Sequence, residues 1–338
     1  MTTQSPDVSF VVAAYNASDT ISATIESALA QQGVSLEVVV VDDCSSDNTR
    51  ARVREFADAR VRLIELESNR GPGGARNAGI AAARGRWIAV LDSDDTLHPP
   101  RTARMIERAR RTGAQIVVDN VEVVSLDGNH RRMFSQRDLA KRAFLDLPAF
   151  IESNVLFRSR FNFGYMKPIY ERRFLEEQSL SYVEALRIGE DYILLASALA
   201  RGGRCAIEPS AGYVYNIREG SISRVLELRH VDAMIAADTA LLREHVLDRR
   251  SLKAQRLRDR SLAEARAFLK LVTHLKSRSW IEAARIALRH PSALKHLAMP
   301  IAARVRRITA RLASIKPAAL AAAPDKPTPG KGPHISKG

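Results

Sequence analysis

The run "LEVVVVDD" at residues 36–43 constrains the fold more than any other stretch. Four successive valines show no polar alternation, so the strand they form needs cover on both faces, as in the parallel sheets of α/β proteins. The run then breaks into two acids, Asp42 and Asp43. "VSFVVAA" at 8–14 and "RWIAVLD" at 86–92 read the same way, the second breaking into Asp92, Ser93, Asp94 and Asp95. Further strands are expected at 60–67 and 114–124. Helices between them carry Ile21, Ile25, Ala28 and Leu29, or Val53 and Phe56, on one face. Strand and helix alternate across short connections, which predicts right-handed βαβ units and a mostly parallel, Rossmann-like sheet flanked by helices.

Residues at i and i+2 of a strand project to one side, so Asp92 and Asp94 leave the strand's carboxyl end together, where open α/β sheets bind ligands. Grouped hard oxygens suit Mg²⁺ or Mn²⁺, which take their remaining ligands from water and a substrate diphosphate. Capping of a following helix at 101–112 is the alternative reading. Asp42 and Asp43 form a second acidic turn, suited to accept from a uracil N3–H or a ribose hydroxyl. "NRGPGGARNAG" at 69–79 fails as a dinucleotide fingerprint, because Arg76 stands where the third glycine belongs. It leaves either a glycine turn opening a helix whose first turn favours an anion, or a tight turn with a surface arginine.

"FVVAAYN", "VVVVDDCSSDNT", "NRGPGGARNAGI", "LDSDD" and "IGEDYILL" together resemble, in order and spacing over about residues 8–225, the inverting GT-A glycosyltransferases of family 2. "FGYMKPIYERRFL" and "EPSAGYVYNIREGSISR" are similar to the rhizobial succinoglycan-type exopolysaccharide glucosyltransferases, which extend a lipid-linked oligosaccharide at the cytoplasmic membrane face. The resemblance implies a GT-A fold and transfer of a hexose, glucose above all, from a UDP-sugar. Tyr15 and Asp43, with Ala14 and Asn16 beside them, would hold the uracil, and Arg76 the nucleotide. Asp92 would face ribose or sugar, and Asp94 the Mn²⁺ or Mg²⁺. Asp95 would cap the next helix or touch the donor sugar. Asp191 would be the catalytic base, with Glu190 alongside raising its pKa by like-charge repulsion. Arg218, Ser221 and Ser223 would close a loop over the diphosphate. "GPGGAR" departs from the commonest pattern at Gly74, where a bulkier or hydroxylated residue is frequent. Two other functions fit the acidic tips less well: a nucleotidyltransferase, and a non-catalytic nucleotide-binding scaffold at a membrane.

Charge divides the chain. Its net charge of +14 comes almost wholly from the C-terminal third. Residues 241–316 hold 19 Lys and Arg against 5 Asp and Glu. The expected organisation is a GT-A catalytic domain at 1–225 (nucleotide-sugar half 1–125, acceptor half 126–225), a basic helical extension at 226–316 and a disordered tail at 317–338. "PIAARVRRITARLASIK" and "SWIEAARIALRH" read as basic amphipathic helices. They suit an anionic inner leaflet, or else they pack on the catalytic domain or a second subunit. Few aromatics accompany the charge and no nucleic-acid module appears, so no nucleic-acid partner is expected. Two cysteines, no secretory leader and no apolar run of roughly 18 residues point to a cytoplasmic protein associated peripherally with the membrane's inner face.

Overall fold

The computed structural model describes residues 5–158, 161–218 and 226–297. Five strands predicted from apolar runs form as β1 (Val8–Ala14), β2 (Leu36–Asp42), β3 (Val61–Glu65), β4 (Trp87–Val90) and β6 (Ile116–Val124). Short β5 (Thr96–Leu97), β7 (His130–Arg132) and β8 (Phe144–Leu145) lie at the margins, with β9 (Ile169–Glu171) and the long β10 (Cys205–Asn216) completing one sheet. Its order is β3-β2-β1-β4-β9-β6-β10-β5, with β7 on β6 and β8 on β10. The pairs β1/β2, β1/β4, β2/β3 and β6/β10 are parallel, while β9 runs antiparallel between β4 and β6. The sheet is therefore mixed but mostly parallel. The stretch 125–163, without clean periodicity in the sequence, folds as short pieces: α5 (Gln136–Ala140) and α6 (Leu147–Ser153) with β7 and β8.

Both faces are covered, as the valine run requires. Val8, Phe10, Val12, Val38 and Val40 pack with Ile21 and Ile25 of α1 (Ile21–Leu29) and Met105 of α4 (Arg101–Thr112). On the other face Val11, Ile88, Val90, Ile116 and Val118 share a core with residues of α6 and α8 (Glu190–Ala200). Val39 and Val41 pack there against Ala75 of α3 (Gly71–Ala82). α2 (Thr49–Arg54) and α7 (Arg172–Glu177) complete the βα connections.

The chain's compact units divide further along than the expected organisation at 225/226. The first compact unit runs through Lys270 and the second begins at Leu271. Ala237 and Leu241 of α9 (Leu228–Glu244), with Ala254 of α10 (Arg249–Lys276), join the core that holds α8. Arg258 of α10 donates to Asp238 of α9 at 2.7 Å and to the Asn154 carbonyl at 2.9 Å, with its guanidinium 3.6 Å from the Tyr192 ring centre. Half of the basic extension thus braces the helix that begins with Glu190 and Asp191. The second unit contains α11 (Trp280–Arg289), where Trp280, Ile281 and Leu288 are exposed and Ala283 is buried. The second basic helix, 301–316, and the tail lie outside the described residues.

Gly79 sets how closely α3 lies on the sheet. A Cβ there would stand 2.4 Å from Val11 Cγ1 and 3.1 Å from Val41 Cγ2. Those side chains are β-branched and buried, so they cannot turn aside cheaply. Gly79→Ala gains helix propensity of about 1 kcal/mol, but overpacking of about 1–3 kcal/mol opposes it. We predict net destabilisation in urea unfolding; a raised midpoint would contradict this packing.

Candidate active site

The carboxyl ends of β1, β2 and β4 meet at one edge of the sheet. The turns after β1 and β2 are tied together: Asn16 Oδ1 accepts from Ser46 N–H, Asn16 N–H donates to Ser45 Oγ, and Ala17 N–H donates to Thr49 Oγ1. Asp47 accepts from Ser18 and Thr49, bonds that hold its pKa down at about 2 against a smaller effect of burial than their sum. Above this frame Tyr15 is half exposed while Ala14 is buried. Asp43 Oδ1 accepts from Arg70 N–H at 2.6 Å and Oδ2 from Gly71 N–H at 2.8 Å, so this carboxylate fixes the entry to α3. Burial raises the Asp43 pKa, more than those two bonds and Arg187 lower it. Gly74 fits because a Cβ there would lie 2.5 Å from Arg70 Cβ, in the same tight turn.

What sits among the acids at the tip of β4 is a pair of cationic side chains. Arg76 Nη2 donates to Asp92 Oδ1 and Nη1 to Glu190 Oε1, each at 2.7 Å, and Nη1 lies 3.3 Å from Asp191 Oδ1. Lys167 Nζ stands 2.8 Å from Asp92 Oδ2 and 2.7 Å from Asp191 Oδ2. Asp92 and Asp191, 99 positions apart in sequence, thus share two counter-ions. Arg76 is 5% exposed and Lys167 9%, so the anion site predicted for Arg76 is occupied from within by three carboxylates. The Tyr182 ring lies 5.3 Å from its guanidinium carbon.

Electrostatics follow from the pairing. For Asp191, burial acts to raise the pKa, but Arg76 and Lys167 outweigh it and the carboxyl titrates below its ordinary range. The expectation that Glu190 would raise it is therefore corrected: Arg76 stands between the two acids and neutralises their repulsion. Asp92 is likewise held low by Lys167 and Arg76 against burial. Asp94 differs. Burial and the Asp92 charge raise its pKa, and the exposed Arg218 and Lys167 only partly oppose them. No ion pair closes on its carboxylate among the described residues, where no set of three His, Cys, Asp or Glu forms a metal cage either. Asp94 fits a hard divalent ion that draws most of its ligands from water and phosphate oxygens.

Asp95 neither caps α4, whose N-cap is Pro100, nor reaches a surface a sugar could touch, since it is fully buried. It accepts from Tyr213 O–H at 2.8 Å and Asn216 N–H at 2.9 Å, while Asp92 N–H donates to the same Tyr213 oxygen. Burial, with Asp92 and Asp94, raises its pKa well above the carboxylate range. It latches the acidic turn to the end of β10. Ser221 and Ser223 lie outside the described residues. Lys167 and Tyr182 carried no assignment in the sequence. "FGYMKP" shows a lysine beside a proline but nothing about charge pairing, and only the β9 insertion between β4 and β6 brings it to the acids.

A glycosyl transferase family 2 model matches residues 9–174. Succinoglycan biosynthesis protein ExoO of Rhizobium meliloti (strain 1021) is 65% identical, over 98% of this chain and 97% of its own. The chain belongs to glycosyl transferase family 2. Its enzymatic class is accordingly glycosyltransferase. ExoU of the same organism is 35% identical over 87% of the chain and 86% of its own length. The Escherichia coli UDP-Glc:alpha-D-GlcNAc-diphosphoundecaprenol beta-1,3-glucosyltransferase WfgD is 32% identical over 64% of the chain and 79% of its own. Among solved structures, S. aureus TarS 1–349 in complex with UDP-GlcNAc superposes with a TM-score of 0.59 at 21% identity, covering 76% of this chain and 71% of that one. That likeness shows the GT-A architecture shared by this family 2 member.

Removing one partner of a buried charge cluster leaves the others unpaired, at a cost of about 3–5 kcal/mol. Arg76→Met should be destabilised by about that much at pH 7. Because the folded-state pKa values of Asp92 and Asp191 are lowered, their contribution is present above about pH 4 and is lost as pH falls through the folded values. The stability gap between wild type and Arg76→Met should therefore narrow below about pH 4, measured by urea unfolding at a series of pH values. A gap independent of pH would contradict the pairing.

Proposed function

We propose that this enzyme is an inverting hexosyltransferase that moves glucose or a related hexose from a UDP-sugar to a lipid-linked oligosaccharide in succinoglycan-like exopolysaccharide assembly. The observation that carries the chemistry is the shared clamp on Asp92 and Asp191, which joins a donor-side acid and a base candidate in one buried cluster. The name of ExoO supports the succinoglycan pathway, and that of WfgD the UDP-glucose donor and a lipid-linked acceptor. Tyr15 would stack on the uracil, with Asp43 receiving its N3–H through the lone pairs left free by Arg70 and Gly71. Asp92, oriented by Arg76, would present its remaining lone pairs to the sugar, and Arg218 would approach the diphosphate. Asp191 accepts the proton of the acceptor hydroxyl while that oxygen bonds to C1 from the face opposite UDP. The C1–O bond to the β-phosphate breaks and its electron pair leaves on UDP. Asp94 would hold a Mn²⁺ or Mg²⁺, which would supply neutralisation of the charge on the departing diphosphate.

A positioned base contributes about 10²–10⁴-fold. Asp191→Asn should bind UDP at least as tightly as the wild type by calorimetry and lose transfer by that factor. UDP release from a panel of UDP-sugars, with and without Mn²⁺, should peak with UDP-glucose and fall on chelation. Near-wild-type turnover in Asp191→Asn would remove it from the mechanism.

Membrane docking belongs to the same proposal. No described helix is long and apolar enough to cross a membrane. α11 instead exposes Trp280, Ile281 and Leu288 beside Arg285 and Arg289, a pattern that seats at an anionic interface where the lipid-linked acceptor lies. The full chain should cosediment with vesicles containing phosphatidylglycerol, less so at high salt, and Trp280→Ser with Leu288→Ser should weaken this. Equal sedimentation with and without those substitutions would contradict docking through α11.

A further inference from the structure

Lys167 has two features that no role in the transfer scheme above uses. Its ammonium covers the same Asp191 oxygen edge that would receive the acceptor proton, Nζ to Oδ2 at 2.7 Å. Its main chain is pinned separately: fully buried Arg101 donates to the Lys167 carbonyl at 2.6 Å while its Nε and second Nη2 bond hold both oxygens of Asp119 at 2.9 Å. The lysine therefore has a fixed root and four methylenes of reach. Arg76 lacks this freedom, being fork-bonded to Asp92 and Glu190 with Tyr182 against its plane. An ammonium has three donors and two are used here, by Asp92 and Asp191.

We propose that Lys167 is a displaceable counter-ion, which covers Asp191 while the donor site is empty and is drawn onto the diphosphate when a nucleoside diphosphate sugar enters. The inference rests on the reading of Asp191 as base. The cluster joins Asp92, Glu190 and Asp191 to two cations, leaving net negative charge beside Asp94. A diphosphate carries more charge than the carboxylate it competes with, so the movable cation follows it. Asp191 then keeps only Arg76 and becomes the stronger base in the presence of donor. Its other charged and titratable neighbours, Asp92, Glu190, Tyr170 and Tyr182, stay in place. The lysine thereby makes base strength depend on donor occupancy and favours donor binding before proton transfer.

The pH dependence of UDP-glucose hydrolysis, with water as acceptor, separates the two states, because kcat/KM reports the free enzyme and kcat the complex. In the wild type the acid limb of kcat should lie at higher pH than that of kcat/KM. Removing a neighbouring cation raises a carboxyl pKa, so in Lys167→Met the kcat/KM limb should move up to meet the kcat limb. UDP affinity by calorimetry should fall about tenfold in that variant, as a charge-assisted phosphate bond is lost. Lys167→Arg keeps the charge on a stiffer group: the kcat/KM limb should stay low and kcat should drop, which separates displacement from simple loss of structure. Coincident limbs in the wild type, or an unmoved limb or unchanged UDP affinity in Lys167→Met, would overturn the proposal. Asp191→Asn with full turnover would instead defeat the base assignment on which it rests.

Discussion

The site depends on two cations shared by two acids. Without Arg76 and Lys167, Asp92 at the end of β4 and Asp191 at the start of α8 would repel each other in a buried space and could not sit side by side. With them, the tip of β4 and the start of α8 become one unit. The rest of the architecture delivers those four groups. Gly79 lets α3, and so Arg76, lie close on β1 and β2. β9 inserts antiparallel beside β4 and brings Lys167 just ahead of it. α9 and α10 back the helix that carries Asp191 through Arg258, Asp238 and Tyr192.

A hierarchy of acids results, each set by its neighbours. Asp92 and Asp191 stay ionised because cations touch them. Asp95 is driven toward its neutral form by complete burial next to two other carboxyls, and Tyr213 and Asn216 turn it into a latch. Asp94, raised but unpaired among the described residues, is the member of the four-residue turn left to meet solvent and ligand. Four residues in sequence thus divide into a clamped acid, an acid with no ion pair among the described residues and a latch, with Ser93 holding the turn to Thr20 through its carbonyl.

The parallel half of the sheet was legible because its strands are unbroken apolar runs whose ends coincide with acids, and period and breaker agree there. Asp191 was singled out by the resemblance that "IGEDYILL" carries, and in the structure it opens α8 just after Gly189 at φ 90°. Charge pairing was not legible. "GGARNAG" looks equally like a phosphate turn or a surface arginine, and nothing local says that its guanidinium meets residues 16, 114 and 115 positions away in sequence. β9 is three residues long and its neighbours in sequence lack periodicity, so Lys167 could not be placed. In the basic C-terminal third composition changes at about 240 while packing continues, since the inward faces of α9 and α10 carry small and apolar residues that composition averages away.

If the clamped pair is the reaction centre of this family 2 enzyme, a crystal structure with UDP and Mn²⁺ should show uracil between Tyr15 and Asp43, the diphosphate over Asp94, and the Asp191 carboxylate facing the open side where C1 of the sugar would sit. UDP bound at another edge of the sheet, or Asp191 walled off from it by Arg76 and Glu190, would rule that out.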